Sequence, residues 1–112
     1  MGNGGTDTCW VVASNDGRFA HVVSFFQGGR ISTYPVAEDG TLGVLRADAA
    51  RGTADGQSDV TLSRDSRFYN VNSATGRLNA HRTSENGALR LIQRVRVAPP
   101  SEMESTLGLA GS

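Results

Sequence analysis

Ser14-Asn15-Asp16-Gly17-Arg18-Phe19 and Ser63-Arg64-Asp65-Ser66-Arg67-Phe68 are two versions of one hexapeptide, 49 residues apart. A second match surrounds them at an offset of 47. Gly29-Arg30-Ile31-Ser32 through Glu38-Asp39-Gly40-Thr41-Leu42 aligns with Gly76-Arg77-Leu78-Asn79 through Glu85-Asn86-Gly87-Ala88-Leu89. A period in this range marks a repeat architecture, in which each copy is one supersecondary unit that needs a neighbour to bury its apolar face. The two-residue difference falls where Ser24-Phe25-Phe26-Gln27-Gly28-Gly29 faces the shorter Ser73-Ala74-Thr75-Gly76.

Within each repeat, four short β-prone runs alternate with turn signals, the pattern of an antiparallel four-stranded sheet. The first set is Trp10 to Ser14, Phe19 to Ser24, Arg30 to Val36 and Thr41 to about Asp48; the second is Asp59 to Ser63, Phe68 to Ser73, Arg77 to Thr83 and Ala88 to Val97. Asp39-Gly40 and Asn86-Gly87 are hairpin dipeptides, predicting type I′ turns with positive φ at both central residues. No stretch of helical length has a 3.6-residue apolar period, so the fold class is all-β. The boundaries that follow are a lead over residues 1–8, a first unit with its loop over 9–58, a second over 59–98, and a tail or closing strand over 99–112. In that tail Leu107 and Leu109 alternate with Gly108 and Ala110 after the Pro99-Pro100 break.

Four strands in just under fifty residues is the period of a β-propeller blade. The segments Cys9-Trp10-Val11-Val12 with Asn15-Asp16-Gly17-Arg18-Phe19, Ile31-Ser32-Thr33-Tyr34 with Glu38-Asp39-Gly40-Thr41-Leu42, and Asp59-Val60-Thr61-Leu62-Ser63 resemble the last two blades of the seven-bladed lactonase-like propellers, the 6-phosphogluconolactonase-like family. The ending Thr106-Leu107-Gly108-Leu109-Ala110 is similar to that family's C-terminal end. The resemblance implies a partial propeller of two four-stranded blades and a lactone hydrolase as one reading of function; because two blades leave two apolar faces uncovered, the partial propeller is expected to be completed by self-association. A β-sandwich of two stacked sheets satisfies the same strand pattern. The chain departs from the family at Ser66, which stands in place of Gly17, at His81, which replaces the aromatic represented by Tyr34, and at His21 and Asn70, which share a position usually aromatic.

Charge and composition narrow the functions. Eleven Arg balance eleven acidic residues for a net charge of zero, so neither nucleic acid nor an anionic membrane is called for. Cys9 is alone, which excludes an intrachain disulfide and makes it read as a small buried hydrophobe. No signal region or spanning apolar run is present, and the expected location is cytoplasmic. The two histidines, His21 and His81, are the candidate acid–base groups, but no His-x-x-x-His or Cys-x-x-Cys spacing points to a metal and no motif points to a cofactor. Arg18 and Arg67, each two residues after an Asp, offer planar forks for an anion or simply close a turn. Phe25 and Phe26 form an apolar contact or pack against a neighbour. Arg90, Arg94 and Arg96 alternate with other residues, placing the three on one strand face. The function read from the chain is a binding or assembly module without catalysis, its expected partners being copies of itself through blade faces and a small carbohydrate-like ligand; the alternative is hydrolysis of a sugar lactone.

Overall fold

The structure, a computed structural model, describes residues 8–25, 30–43, 46–50, 57–72 and 75–97, with side-chain burial from Trp10 onward except over 46–50. Eight strands follow one another: β1 (Thr8–Ala13), β2 (Phe19–Ser24), β3 (Ile31–Pro35), β4 (Arg46–Ala50), β5 (Gln57–Leu62), β6 (Arg67–Asn72), β7 (Arg77–Thr83) and β8 (Leu89–Arg96). They form two antiparallel meanders, β1-β2-β3-β4 and β5-β6-β7-β8, which pack on each other with β1 beside β5 and β4 approaching β8. The all-β class and the two-repeat division into four-stranded sheets follow the sequence pattern.

Both sheets are open. Neither closes or curls on itself, and the chain is a two-sheet packing rather than a closed ring, which corrects the β-propeller and lactonase-like expectation in favour of stacked sheets. Period and strand count alone cannot separate the two arrangements, because a blade and a sandwich layer have the same local pattern. Among the described residues no helix is long and apolar enough to cross a membrane. Phe26, the loop over 51–56, the tail over 99–112 and the side chain of Cys9 lie outside the described residues.

The turns differ from the expected type I′ form. In each, the N–H of the fourth residue donates to the first carbonyl: Gly17 to Ser14 at 2.9 Å, Gly40 to Ala37 at 2.9 Å, Ser66 to Ser63 at 3.0 Å, and Gly87 to Ser84 at 3.0 Å. Only that fourth residue has positive φ, at 73°, 86°, 63° and 82° respectively. This is a turn closed by one left-handed residue, not type I′, because Asp39 and Asn86 stay in the ordinary region and use their carboxylate or amide oxygens on the backbone N–H two residues on. The fourth strand also starts later than expected. Val36 bridges Leu42 and Gly43 N–H donates to Pro35 O at 2.7 Å, so residues 41–43 finish the turn and β4 begins at Arg46.

The repeats are not superimposable residue for residue. Ala13 pairs with Ala20 across residues 14–19, whereas Leu62 pairs with Phe68 across 63–67, one residue fewer. A one-residue change in register reverses which face each side chain takes. Phe68 therefore stands where Ala20 does, and His21 corresponds to Tyr69 rather than to Asn70. The sheets consequently meet through non-equivalent faces. Phe19, His21 and Val23 of β2 turn toward the second sheet, and Phe68 and Asn70 of β6 turn back toward the first.

Between them lies a small core of Val23, Ile31, Val60, Phe68 and Leu89, with Trp10, Val12 and Leu62 at its edge. Polar side chains fill much of the same layer, including His21, Thr33, Gln57, Asn70, Asn79 and His81, all at most 2% exposed. Arg90, Arg94 and Arg96 do not share a face. The β7–β8 register runs Arg82↔Arg90 and His81↔Leu91, then Ala80↔Gln93 and Asn79↔Arg94, so a bulge at Ile92 breaks the alternation and leaves Arg90 opposite Arg82 while Arg94 joins Asn79.

Two glycines separate backbone cost from packing cost. A Cβ on Gly17 would meet nothing within 4 Å, whereas one on Gly87 would lie 2.7 Å from the Phe19 ring. Gly17→Ala is expected to cost about 1–2 kcal/mol, the left-handed penalty alone. Gly87→Ala adds overpacking and should cost about 1–3 kcal/mol more. Denaturant midpoints of the two variants check the difference.

Candidate functional site

At the end of the sheets that carries the β1–β2, β5–β6 and β7–β8 turns, a cavity of about 180 Å³ opens between the layers. Three turns build it. The β1–β2 turn contributes Ser14, Asn15 and Asp16, and its conformation is held by a chain in which Ser14 Oγ donates to Asp16 Oδ1 at 2.6 Å while accepting from Phe19 N–H at 3.0 Å. The same carboxylate oxygen accepts from Arg18 N–H at 3.0 Å. These bonds hold the Asp16 carboxyl below the usual carboxylate range, the Ser14 hydroxyl first among the causes and the Arg18 backbone next.

Asn15 ties this turn to the other sheet. Its amide donates to Ser63 O at 2.8 Å, Arg64 O at 3.1 Å and Ser66 Oγ at 3.1 Å. Ser66 in turn is fixed by Thr83, whose Oγ1 donates to Ser66 O at 2.7 Å. Ser84, Glu85 and Gly87 of the β7–β8 turn complete the rim, and Phe19 forms a wall.

His21 lines this cavity although the imidazole is 0% exposed. Its Nδ1 is 2.9 Å from Thr33 Oγ1, and its Nε2 has no hydrogen-bond partner. His81 lies deeper, 1% exposed, with Nδ1 unpartnered. The two rings do not form a pair. Phe68 stands between them, edge-on to both, at 5.4 Å from His21 and 5.7 Å from His81. Burial keeps the His21 imidazole neutral, lowering its pKa to about 4. Burial also lowers His81 to about 4, reinforced by the positive charge of Arg94 and opposed by the Phe68 backbone. A neutral imidazole at pH 7 accepts or donates one hydrogen bond at the free nitrogen, depending on tautomer.

The other sequence candidates lie apart from the cavity floor. Arg18 and Arg67 each face their own aspartate, at 3.9 Å from Asp16 and 3.0 Å from Asp65, and are largely solvated. Arg18 also covers the Phe19 ring at 5.6 Å. The two guanidiniums are not shown to converge on a common anion. Phe25 is buried and tilted against Trp10 at 6.5 Å, so it packs within its own sheet. Among the described residues no group of three or more His, Cys, Asp or Glu is placed to hold a metal ion. Sequence reading missed Asn15, Ser66 and Thr83. The signal available was the departure at Ser66, a non-glycine where the first repeat has Gly17. No protein-family model, curated protein or solved structure matches the chain.

The two imidazoles set the acid limit of the fold. Unfolded histidine takes up a proton below about pH 6.5, whereas the native rings do so only near 4, so their contribution is complete above 6.5 and is lost as pH falls toward 4. The lowered aspartates act in a separate window, below 3.8. The unfolding free energy between pH 6 and 4.5 should fall with a slope approaching about two protons. In His21→Leu or His81→Gln the slope should drop to about one. Urea titrations across that range measure it.

Proposed function

We propose that the chain is a binding and assembly module that stacks on further copies of itself rather than turning over a substrate. The observation that supports this reading is the non-equivalence of the faces by which its two sheets meet. Each chain then keeps two outward faces of different kinds, and contact between unlike faces of identical chains is head-to-tail. On the outward side of the first sheet Val11 is 67% exposed, while Ser32 and Tyr34 of the same face are buried within the chain. On the outward side of the second, Val95 pairs with Leu78 and is 42% exposed, and Val97 just beyond it is 52% exposed. A zero net charge puts no overall repulsion between copies.

Light scattering at micromolar concentration should report a mass above that of one chain. Val95→Asp and Val11→Asp, placed on opposite faces, should each restore the monomer while leaving the circular dichroism spectrum intact. A parent chain that stays monomeric overturns the assembly reading.

A second reading, hydrolysis of a small sugar lactone, is favoured by the neutral His21 beside the cavity, since an imidazole with a free nitrogen can take a proton from water. The first reading expects uncharged aldonolactones to hydrolyse no faster with the protein than without it. Turnover that vanishes in His21→Leu would put the second in its place.

A further inference from the structure

We propose that residues 102–105 fold back beside β8 as an added antiparallel strand, pairing Arg96 with Glu102 and Arg94 with Glu104 and so covering the open edge of the second sheet. The need for a cover lies in β8 itself. It is the last strand of its sheet, and every residue from Arg90 to Arg96 is exposed. β4 approaches it but belongs to the other sheet. The Val97 N–H donates to Gly76 O at 2.8 Å, on the β7 side. Backbone groups alternate in direction along an antiparallel strand, so those of Arg96 and Arg94 point to the outer edge. An open, exposed strand of 8 residues is the kind of edge that natural proteins cover.

The side chains of β8 specify what fits there. Arg96 stands directly opposite Arg77, and like charges facing each other across a pair destabilise it. Arg94 and Arg96 share one face of β8, with Val95 on the other. The complement is a strand with carboxylates two residues apart and an apolar residue between them. Glu102-Met103-Glu104 is that sequence, and residues 98–112 hold no Lys or Arg. Folding back over residues 97–101, a length common in hairpin loops, sets Glu102 beside Arg96, Met103 beside Val95, Glu104 beside Arg94 and Ser105 beside Gln93. Pro99 and Pro100, which lack an N–H, fall in that loop and not in the ladder. A guanidinium serves several acceptors at once, so the bonds from Arg94 to Asn79 Oδ1 and from Arg96 to Thr75 O are compatible with a carboxylate on each. The β8 of another copy fits this edge poorly, because it would bring arginines to arginines.

Amide hydrogen exchange of the full chain reads the pairing residue by residue. The Arg94 and Arg96 N–H groups should exchange at least ~10-fold more slowly than in Glu104→Pro, which removes an N–H aimed at β8. Ser105→Pro removes one aimed at solvent and should keep the protection. Val95, whose N–H points to β7 by the same alternation, should exchange slowly in all three chains. In a Cys9→Ser background, Gln93→Cys with Ser105→Cys makes a non-hydrogen-bonded pair about 4.5 Å apart, within the about 4.4–6.8 Å that a disulfide spans. It should oxidise within one chain, whereas Gln93→Cys with Glu104→Cys, on opposite faces, should not. Fast exchange at Arg94 and Arg96 in the parent, protection that survives Glu104→Pro or is lost in Ser105→Pro, or equal oxidation of the two cysteine pairs each overturns the proposal. So does a disulfide that joins two chains, since it gives the edge to the tail of a neighbouring copy.

Discussion

Phe68 between two dry imidazoles is the contact on which the rest of this structure depends. Full burial of a phenyl side chain contributes about 1.5–3 kcal/mol, and each edge-on ring contact adds about 0.5–1.5 kcal/mol. Among the described residues it packs with the buried Val23, Ile31, Val60 and Leu89, so that one side chain is a large share of what joins the two sheets. It also determines the electrostatics. Burial in the layer around it keeps His21 and His81 neutral, so the central layer tolerates polar groups only while they remain uncharged.

A core this polar needs a second means of holding its layers, and the turns provide it. Ser14, Ser63 and Ser84 each donate to the Asp or Asn two residues on, so each turn is closed by local bonds of its own. Asn15 then crosses the gap and shares its two amide N–H groups among three acceptors on the other sheet's turn. Gly87 allows Phe19 to approach so closely that the two layers leave no room for a methyl group there. The cavity is the space left when rigid turns, rather than adaptable side chains, close one end of the interface.

Much of this was legible. The repeated hexapeptide and the Gly punctuation located all eight strands, because period-2 apolar patterning and turn chemistry are local properties. β7 has the expected limits, Arg77–Thr83, whereas β4 was displaced since Gly43 continues the preceding turn into a bond with Pro35. What stayed hidden depends on register. The alignment of Phe19 with Phe68 is correct as sequence and wrong as structure, because the second turn is one residue shorter between its paired ends. The same kind of error put Arg90 on a face with Arg94, where a bulge at Ile92 intervenes. His21 could be named as a candidate but not placed, since its cavity needs, besides the adjoining β1–β2 turn, Ser66 of the β5–β6 turn and Thr83 to Gly87 around the β7–β8 turn.

That shortened turn also bears on how the chain meets other copies. Had the two hairpins been equal, Phe68 would face outward and Tyr69 would take its place in the inner layer. With the actual register Phe68, fully buried, is committed to the internal interface, while Val11 and Val95 stand exposed on the outward faces. An aromatic anchor in a desolvated pocket contributes more to association than exposed aliphatic side chains do. Under the proposed stacking the asymmetry between repeats ranks the contacts: Phe68 gives the two sheets of one chain the stronger anchor, and the exposed valines would give a second copy the weaker one.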